Sequence, residues 1–280
     1  MKNFKNLTLL SALAIGITVV SCSKDTAGIV EEEQTQSVGI SQEVLEKANS
    51  LNFNTYDMQT TTLEKPGGKV EEVYLMEGDI IMSHEQLMNM QVGDITSKQY
   101  HTNNLVSQGR TINVIGYTGN NSNGLTSKMR TSLQWAVDNY NALNINLTFN
   151  LTFGTNYNSS DIVVYRVANG QAGGVAGFPS GGRPYKWVQI FSGMDNYNNN
   201  VIEHVITHEI GHCVGMRHSD YFSRQSCGQN SNEGTAGVGA NHIPGTPTGY
   251  DPTSLMNACF SANEDGEFNN FDRIALEYLY

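Results

Sequence analysis

The chain has 280 residues, enough for one large domain or two small ones around a buried core. It carries 27 Asp and Glu against 16 Lys and Arg, a formal charge of −11, which leaves no electrostatic footprint for nucleic acid and no polybasic patch for an anionic membrane surface. With 15% charged residues, 39% hydrophobic residues and four cysteines, the composition excludes a disordered chain, a coiled coil and a disulfide-dense scaffold.

Lys2 and Lys5 precede an apolar run from Leu7 to Val20. That run is too short to cross about 30 Å of hydrocarbon as a helix, so residues 1–21 read as a secretory signal. Val19-Val20-Ser21-Cys22 resembles the bacterial lipobox, in which cleavage precedes a cysteine that becomes lipidated. Cys22 is therefore the expected lipid attachment, with an ordinary signal peptide and an incidental cysteine as the alternative. Ser23, rather than Asp, at the next position resembles lipoproteins sent to the outer membrane, so the outer membrane or cell surface is the expected location. Residues 22–40 are polar and acidic, suited to a flexible tether.

Residues 41–107 read as a small N-terminal module. Ser41 caps a short helix, Lys69–Met82 reads as two strands around a Glu77-Gly78-Asp79 turn, and His84–Met90 reads as another short helix. From residue 108 the texture changes. Thr111–Tyr117 is a strand, Thr126 caps a helix with Met129, Leu133, Val137 and Tyr140 on one face, and Leu147–Phe153 is a second strand. Asp161–Val167 is more continuously apolar, hence more central. The glycine-rich stretch 170–182 suits an edge strand or groove wall, Trp187–Phe191 is a further strand, and a long helix runs from about Asn199 to Val214. The expected architecture is α+β, a mixed twisted five-stranded sheet with two helices on it.

The second helix contains His208-Glu209-Ile210-Gly211-His212. Histidines four apart share a helical face and can hold one metal. Glu209 then stands beside the metal rather than on it, where it can act as general base toward water. Gly215 suits a left-handed helix stop that turns the chain back, and His218 supplies a third nitrogen. Three protein ligands with a fourth position open are the catalytic form of a zinc site. His204, one turn earlier, reads as a helix-surface or supporting residue. His242 and Tyr250 also precede the next motif, and surface or core roles are favoured for both.

The motif HExxHxxGxxH, matched in full, resembles the metzincin clan of zinc endopeptidases. The HEIGH form, the lipoprotein start and the Met76-Glu77-Gly78-Asp79 block look most like the dual-action HEIGH metallopeptidases of the myxobacterial protease B type. The resemblance implies a metzincin-type zincin fold over residues 108–280, with an active-site helix, a Met-turn at Ser254-Leu255-Met256-Asn257 and a closing helix from Phe271 to Tyr280. Met256 would then be an apolar floor under the imidazoles, although an ordinary core methionine fits the sequence as well. Two residues past the turn methionine stands Ala258, where astacin- and serralysin-like enzymes have tyrosine, so a tyrosine donor from that position is absent.

With Cys22 lipidated, Cys213, Cys227 and Cys259 remain, enough for one bridge. If the loops after His218 and Met256 converge beside the zinc, the expected pair is Cys227–Cys259, with Cys213 a buried thiol. Met76-Glu77-Gly78-Asp79 also resembles the FxGD segment of astacin propeptides, whose aspartate takes the open zinc position. Asp79 is thus a candidate latency switch, with processing near Arg110; a plain hairpin turn in a permanent module is the alternative.

The reading is a secreted, monomeric zinc metalloendopeptidase acting on proteins or peptides, with Glu209 as base and residues 173–178 aligning an extended substrate. Two other readings stay open: a non-catalytic surface binding or adhesion lipoprotein retaining the fold, and an exopeptidase of the same mechanism. Calcium is compatible with the Asp and Asn content, but no loop matches a recognisable calcium spacing.

Overall fold

The computed structural model describes residues 39–90, 102, 104–229 and 243–280. The signal, Cys22, nearly all of the tether and His242 lie outside the described residues. No helix among the described residues is long and apolar enough to cross a membrane.

The N-terminal part comprises α1 (Gln42–Ser50), β1 (Gln59–Glu64), β2 (Val70–Met76), β3 (Ile80–Met82) and α2 (His84–Asn89). Ser41 and Ser83 cap the two helices, each accepting a backbone N–H one turn on. The three strands form an antiparallel meander in the order β1-β2-β3, with Met76 opposite Ile80 across a three-residue loop. β1 has no counterpart in the sequence reading. Its Gln-Thr-Thr-Thr-Leu-Glu buries only Leu63, so no apolar alternation marks it. Val44, Phe53, Met58, Met76, Ile80 and Leu87 make a core of their own, completed by Phe178 from beyond residue 107.

The larger part contains β4 (Thr111–Tyr117), α3 (Ser127–Asn141), β5 (Thr148–Gly154), β6 (Ile162–Val167), β7 (Gly174–Val175), β8 (Trp187–Phe191), α4 (Asn199–Cys213) and α5 (Asn270–Leu279). Five strands lie in the order β5-β4-β6-β8-β7, parallel except for β7, which runs antiparallel to β8 at the edge. This is the mixed five-stranded sheet expected, with apolar β6 at its centre. β5 is the other edge, so Phe153 near its end is exposed even though it lies on the core face, where a Cβ on Gly116 would meet its ring at 2.6 Å. The glycine-rich segment yields only two residues of strand, because at Ala176 the chain leaves β8 and pairs with the N-terminal part instead: Ala176 N donates to Asp79 O (3.0 Å) and Ile81 N donates to Ala176 O (2.8 Å).

Helix α3 packs on β5 and α4, and α4 packs on β7 and β8. Every residue of α4 from Val201 to Cys213 is buried, which explains its apolarity on all sides. Asn198 caps its start, and Gly215 follows its end at φ +105°, where a Cβ would meet Leu105 at 2.8 Å.

Glu203, in the second turn of α4, is buried beside Asn139, whose amide donates to it at 2.9 Å, and beside Gly266. Burial and the nearby Glu267 and Asp265 push its carboxyl up from 4.5 to about 7. A proton held more tightly in the fold than in the unfolded chain stabilises below about 4.5, and that contribution is lost as pH rises through about 7. Glu203→Gln is therefore expected to match wild type near pH 4.5 and exceed its stability by about 1–2 kcal/mol at pH 8. Thermal unfolding across that range checks this; a constant difference with pH contradicts it.

Candidate metal centre

Helical spacing puts His208 and His212 on one face of α4, with ring centroids 4.6 Å apart. The Gly215 turn then carries His218 back, so that its ring stacks on that of His208 at 5.3 Å. All three histidines are buried. Each has its Nδ1 committed to an acceptor: His208 donates to Leu255 O (2.9 Å), His212 to Met216 O (2.8 Å) and His218 to Glu77 Oε2 (3.1 Å). A carbonyl can only accept, so the Nδ1 protons are fixed and the Nε2 lone pairs of His208 and His212 face inward.

The inward nitrogens meet a carboxylate. Asp79 Oδ2 lies 3.0 Å from His218 Nε2 and 3.4 Å from His208 Nε2, and Asp79 Oδ1 lies 3.9 Å from His212 Nε2. Ligand atoms of Asp79, His208, His212 and His218 all fall within 4.8 Å of one another. His212 Nε2 and His218 Nε2 are 3.3 Å apart, too close for two lone pairs without a cation or proton between them. His208 Nε2 and Asp79 Oδ1 are buried with no hydrogen-bond partner. Oriented tautomers, orphaned inward atoms and one buried carboxylate fit a divalent cation held by three imidazoles and an oxygen, a donor set that suits zinc.

The buried carboxylates and imidazoles shift one another. Burial would raise the Asp79 carboxyl, but the three imidazoles hold it far below the usual carboxylate range. Burial alone would depress His218, yet Asp79 and Glu77 push it up to about 10. Glu209 is fully buried beside the histidines, and burial together with the Asp79 charge pushes its carboxyl well up. Its Oε2 has no hydrogen-bond partner, so its side chain is not spent on holding the fold. A Cβ on Gly174 would sit 2.9 Å from both Glu209 Cγ and Oε1, so this glycine of β7 gives Glu209 its room.

The residues from 73 to 280 match the model of the dual-action HEIGH metallo-peptidases. The chain belongs to that family. The matched span begins inside β2 and so takes in the Glu77-Gly78-Asp79 loop. Two solved structures of myroilysin are similar to this metallopeptidase at 16% identity. One match covers 62% of this chain and 81% of that one at a TM-score of 0.39, and the other covers 68% and 93% at 0.40. No curated protein sequence matches the chain.

Beneath the metallopeptidase site, Met256 is buried against Gly211, where a Cβ would come within 2.6 Å of its sulfur. The turn carrying Met256 is held from two sides. Asp272 of α5 accepts from Ser254 Oγ (2.8 Å) and Leu255 N (3.0 Å), and Ser219 N donates to Met256 O (2.8 Å). Asp220 Oδ1 accepts from Ala258 N and its Oδ2 from Ser226, drawing the two loops together where Cys227 and Cys259 are bonded, with Cα atoms 5.1 Å apart. Cys213 is a buried free thiol.

A cleft of about 280 Å³ opens beside the histidines, lined by Gly173, Phe191, His204, Val205, Glu209 and Phe260 among others. His204 donates from Nδ1 to Asp265 O (2.9 Å) and lines this cleft rather than joining the Asp79 cluster. Tyr250 is half-buried and does not line it. Three residues with no role at the metal in the sequence reading meet behind His218. Arg217 donates to Glu77 Oε1 (2.9 Å), Arg224 to Glu77 O (3.1 Å), and Glu77 itself holds His218. Arg217 and Glu77 had only nearness to His218 and Asp79 as a sequence signal, and Arg224 had none.

Gly→Ala inside a helix ordinarily stabilises by about 1 kcal/mol. At position 211 the Met256 contact reverses the sign, and Gly211→Ala is expected to cost about 1–3 kcal/mol. A raised unfolding midpoint would show that the Met-turn does not press on the helix.

Proposed function

We propose that the chain is an exported, lipid-anchored zinc endopeptidase that acts as a monomer on proteins or peptides and is kept latent by Asp79. The observation that carries this reading is the Asp79 carboxylate standing against all three histidines while Glu209 Oε2 lies buried beside them without a hydrogen-bond partner. His208, His212 and His218 would hold the zinc ion. When bound, zinc supplies Lewis-acid polarisation of a substrate carbonyl and a strong acidification of water.

The remaining work falls to the chain's own groups. Glu209, with its position set by the close contact at Gly174, accepts a proton from the attacking water as the new carbon–oxygen bond forms. It then delivers that proton to the leaving amine as the carbon–nitrogen bond breaks. The polar edge of Ala176 aligns an extended substrate by main-chain pairing. In the latent chain the same edge is paired with Asp79 and Ile81, so the N-terminal module takes both the substrate's hydrogen bonds and the metal-facing position. Residues 41–107 thus act as a propeptide, with residues 108–280 as the catalytic domain and processing near Arg110. The basic start, the short apolar run and Ser21-Cys22 support export with Cys22 as the anchor at the outer membrane or cell surface.

Casein digestion and a peptide library test this. Unprocessed wild type is expected to be slow, Asp79→Ala faster by at least about tenfold, and Glu209→Ala in the Asp79→Ala background slower by about 10²–10⁴-fold. Chelator should abolish the activity and zinc restore it. Cleavage that survives without Glu209, or an Asp79→Ala protein no faster than wild type, would remove the general base or the latency switch respectively.

A further inference from the structure

Glu77 has no part in the reaction just described, yet it is among the most constrained residues of the chain. It is 2% exposed. Its Oε1 accepts from Arg217 Nη2 (2.9 Å) and from Asn54 N (3.1 Å), and its Oε2 accepts from His218 Nδ1 (3.1 Å). Its backbone is left-handed at φ +53°, a conformation that a long side chain rarely adopts. Among the described residues, the other non-glycine positions with positive φ are Asn52, whose carbonyl accepts from Arg217, and Arg224, which donates to the Glu77 carbonyl. The strained backbone therefore gathers around one carboxylate, the signature of a side chain kept for what it touches.

We infer that Glu77 is a positioning residue of the metal centre. It fixes the His218 ring from behind, while Asp79, two residues on, faces the other nitrogen of the same ring at 3.0 Å. The Glu77-Gly78-Asp79 loop grips the third histidine at both nitrogens, so the N-terminal module helps build the site that it covers. A metal-bound imidazole with a carboxylate behind it is held in one tautomer and is a more basic ligand. The inference rests on the reading that the three histidines hold the metal.

Glu77→Gln shows why the carboxylate matters. An amide has one acceptor oxygen. Turned toward Arg217 and Asn54, it leaves its NH2 against the His218 Nδ1–H, donor against donor. The ring must then carry its proton on Nε2, where it cannot bind metal, or rotate away.

The test uses the full chain as wild type, Glu77→Gln, Glu77→Asp and His208→Ala. Zinc affinity is read by competition with a chromophoric chelator, the ligand field by cobalt absorption, and the fold by circular dichroism and metal-free unfolding. Glu77→Gln is expected to lose about 10–100-fold in zinc affinity and to shift the cobalt bands. Glu77→Asp keeps the charge for Arg217 but falls a methylene short of His218, and it should lose affinity with little change in metal-free unfolding. If Glu77→Gln fails to fold, the aspartate variant decides. Affinity within threefold of wild type in a folded Glu77 variant, with unshifted cobalt bands, overturns the inference if His208→Ala abolishes binding. If His208→Ala also binds as wild type does, the metal-site reading itself fails.

Discussion

Three imidazoles pointed at one place, each with its outward nitrogen already committed, are the constraint around which the rest of this chain is arranged. The arrangement is expensive in polarity. It buries three histidines, Glu77 and Glu209 together and half-buries Asp79, and buried polar groups are tolerated only when they are bonded to something. The outward nitrogens are bonded to Leu255, Met216 and Glu77, which come from the Met-turn, the loop after α4 and the N-terminal module. Three separate segments must therefore be in place before the histidines are oriented.

Those segments are secured by ordinary means. Asp272 at the start of α5 ties down Ser254 and Leu255, so the closing helix reaches the centre through two hydrogen bonds. Asp220 and the Cys227–Cys259 bridge join the loop after His218 to the loop after Met256. Glycine appears where backbones must come close. Gly211 admits the Met256 sulfur, and Gly174 admits the Glu209 side chain. The module is attached through Arg217, a buried cation whose hydrogen bonds go to Leu51, Asn52 and Glu77 and whose guanidinium stacks on Phe53 at 4.4 Å. These partners of Arg217 and the rear acceptor of His218 all come from residues before 78, so the N-terminal part shapes the site through this one contact.

Much of this was legible in the sequence, because local periodicity is a local property. The i, i+4 histidines, the glycine stop and the third histidine declared a metal site, and the alternating and continuous apolar runs declared the larger sheet, down to the central place of Ile162–Val167. β1 escaped because a strand that buries one leucine has no pattern to show. The length of β7 escaped because its continuation pairs with a segment about a hundred residues earlier, and such pairing leaves no trace in the local pattern.

The sequence by itself determined which side chains could hold a cation and that a glutamate would stand beside them, since helical geometry fixes the relation of residues four apart. Only the tertiary structure decided what lies against those side chains. Glu77, Arg217 and Arg224 are unremarkable letters until the chain brings a hairpin from near residue 77 onto a loop near residue 218. Charge partners so distant along the chain are selected by the packing of two cores, which no short-range pattern encodes.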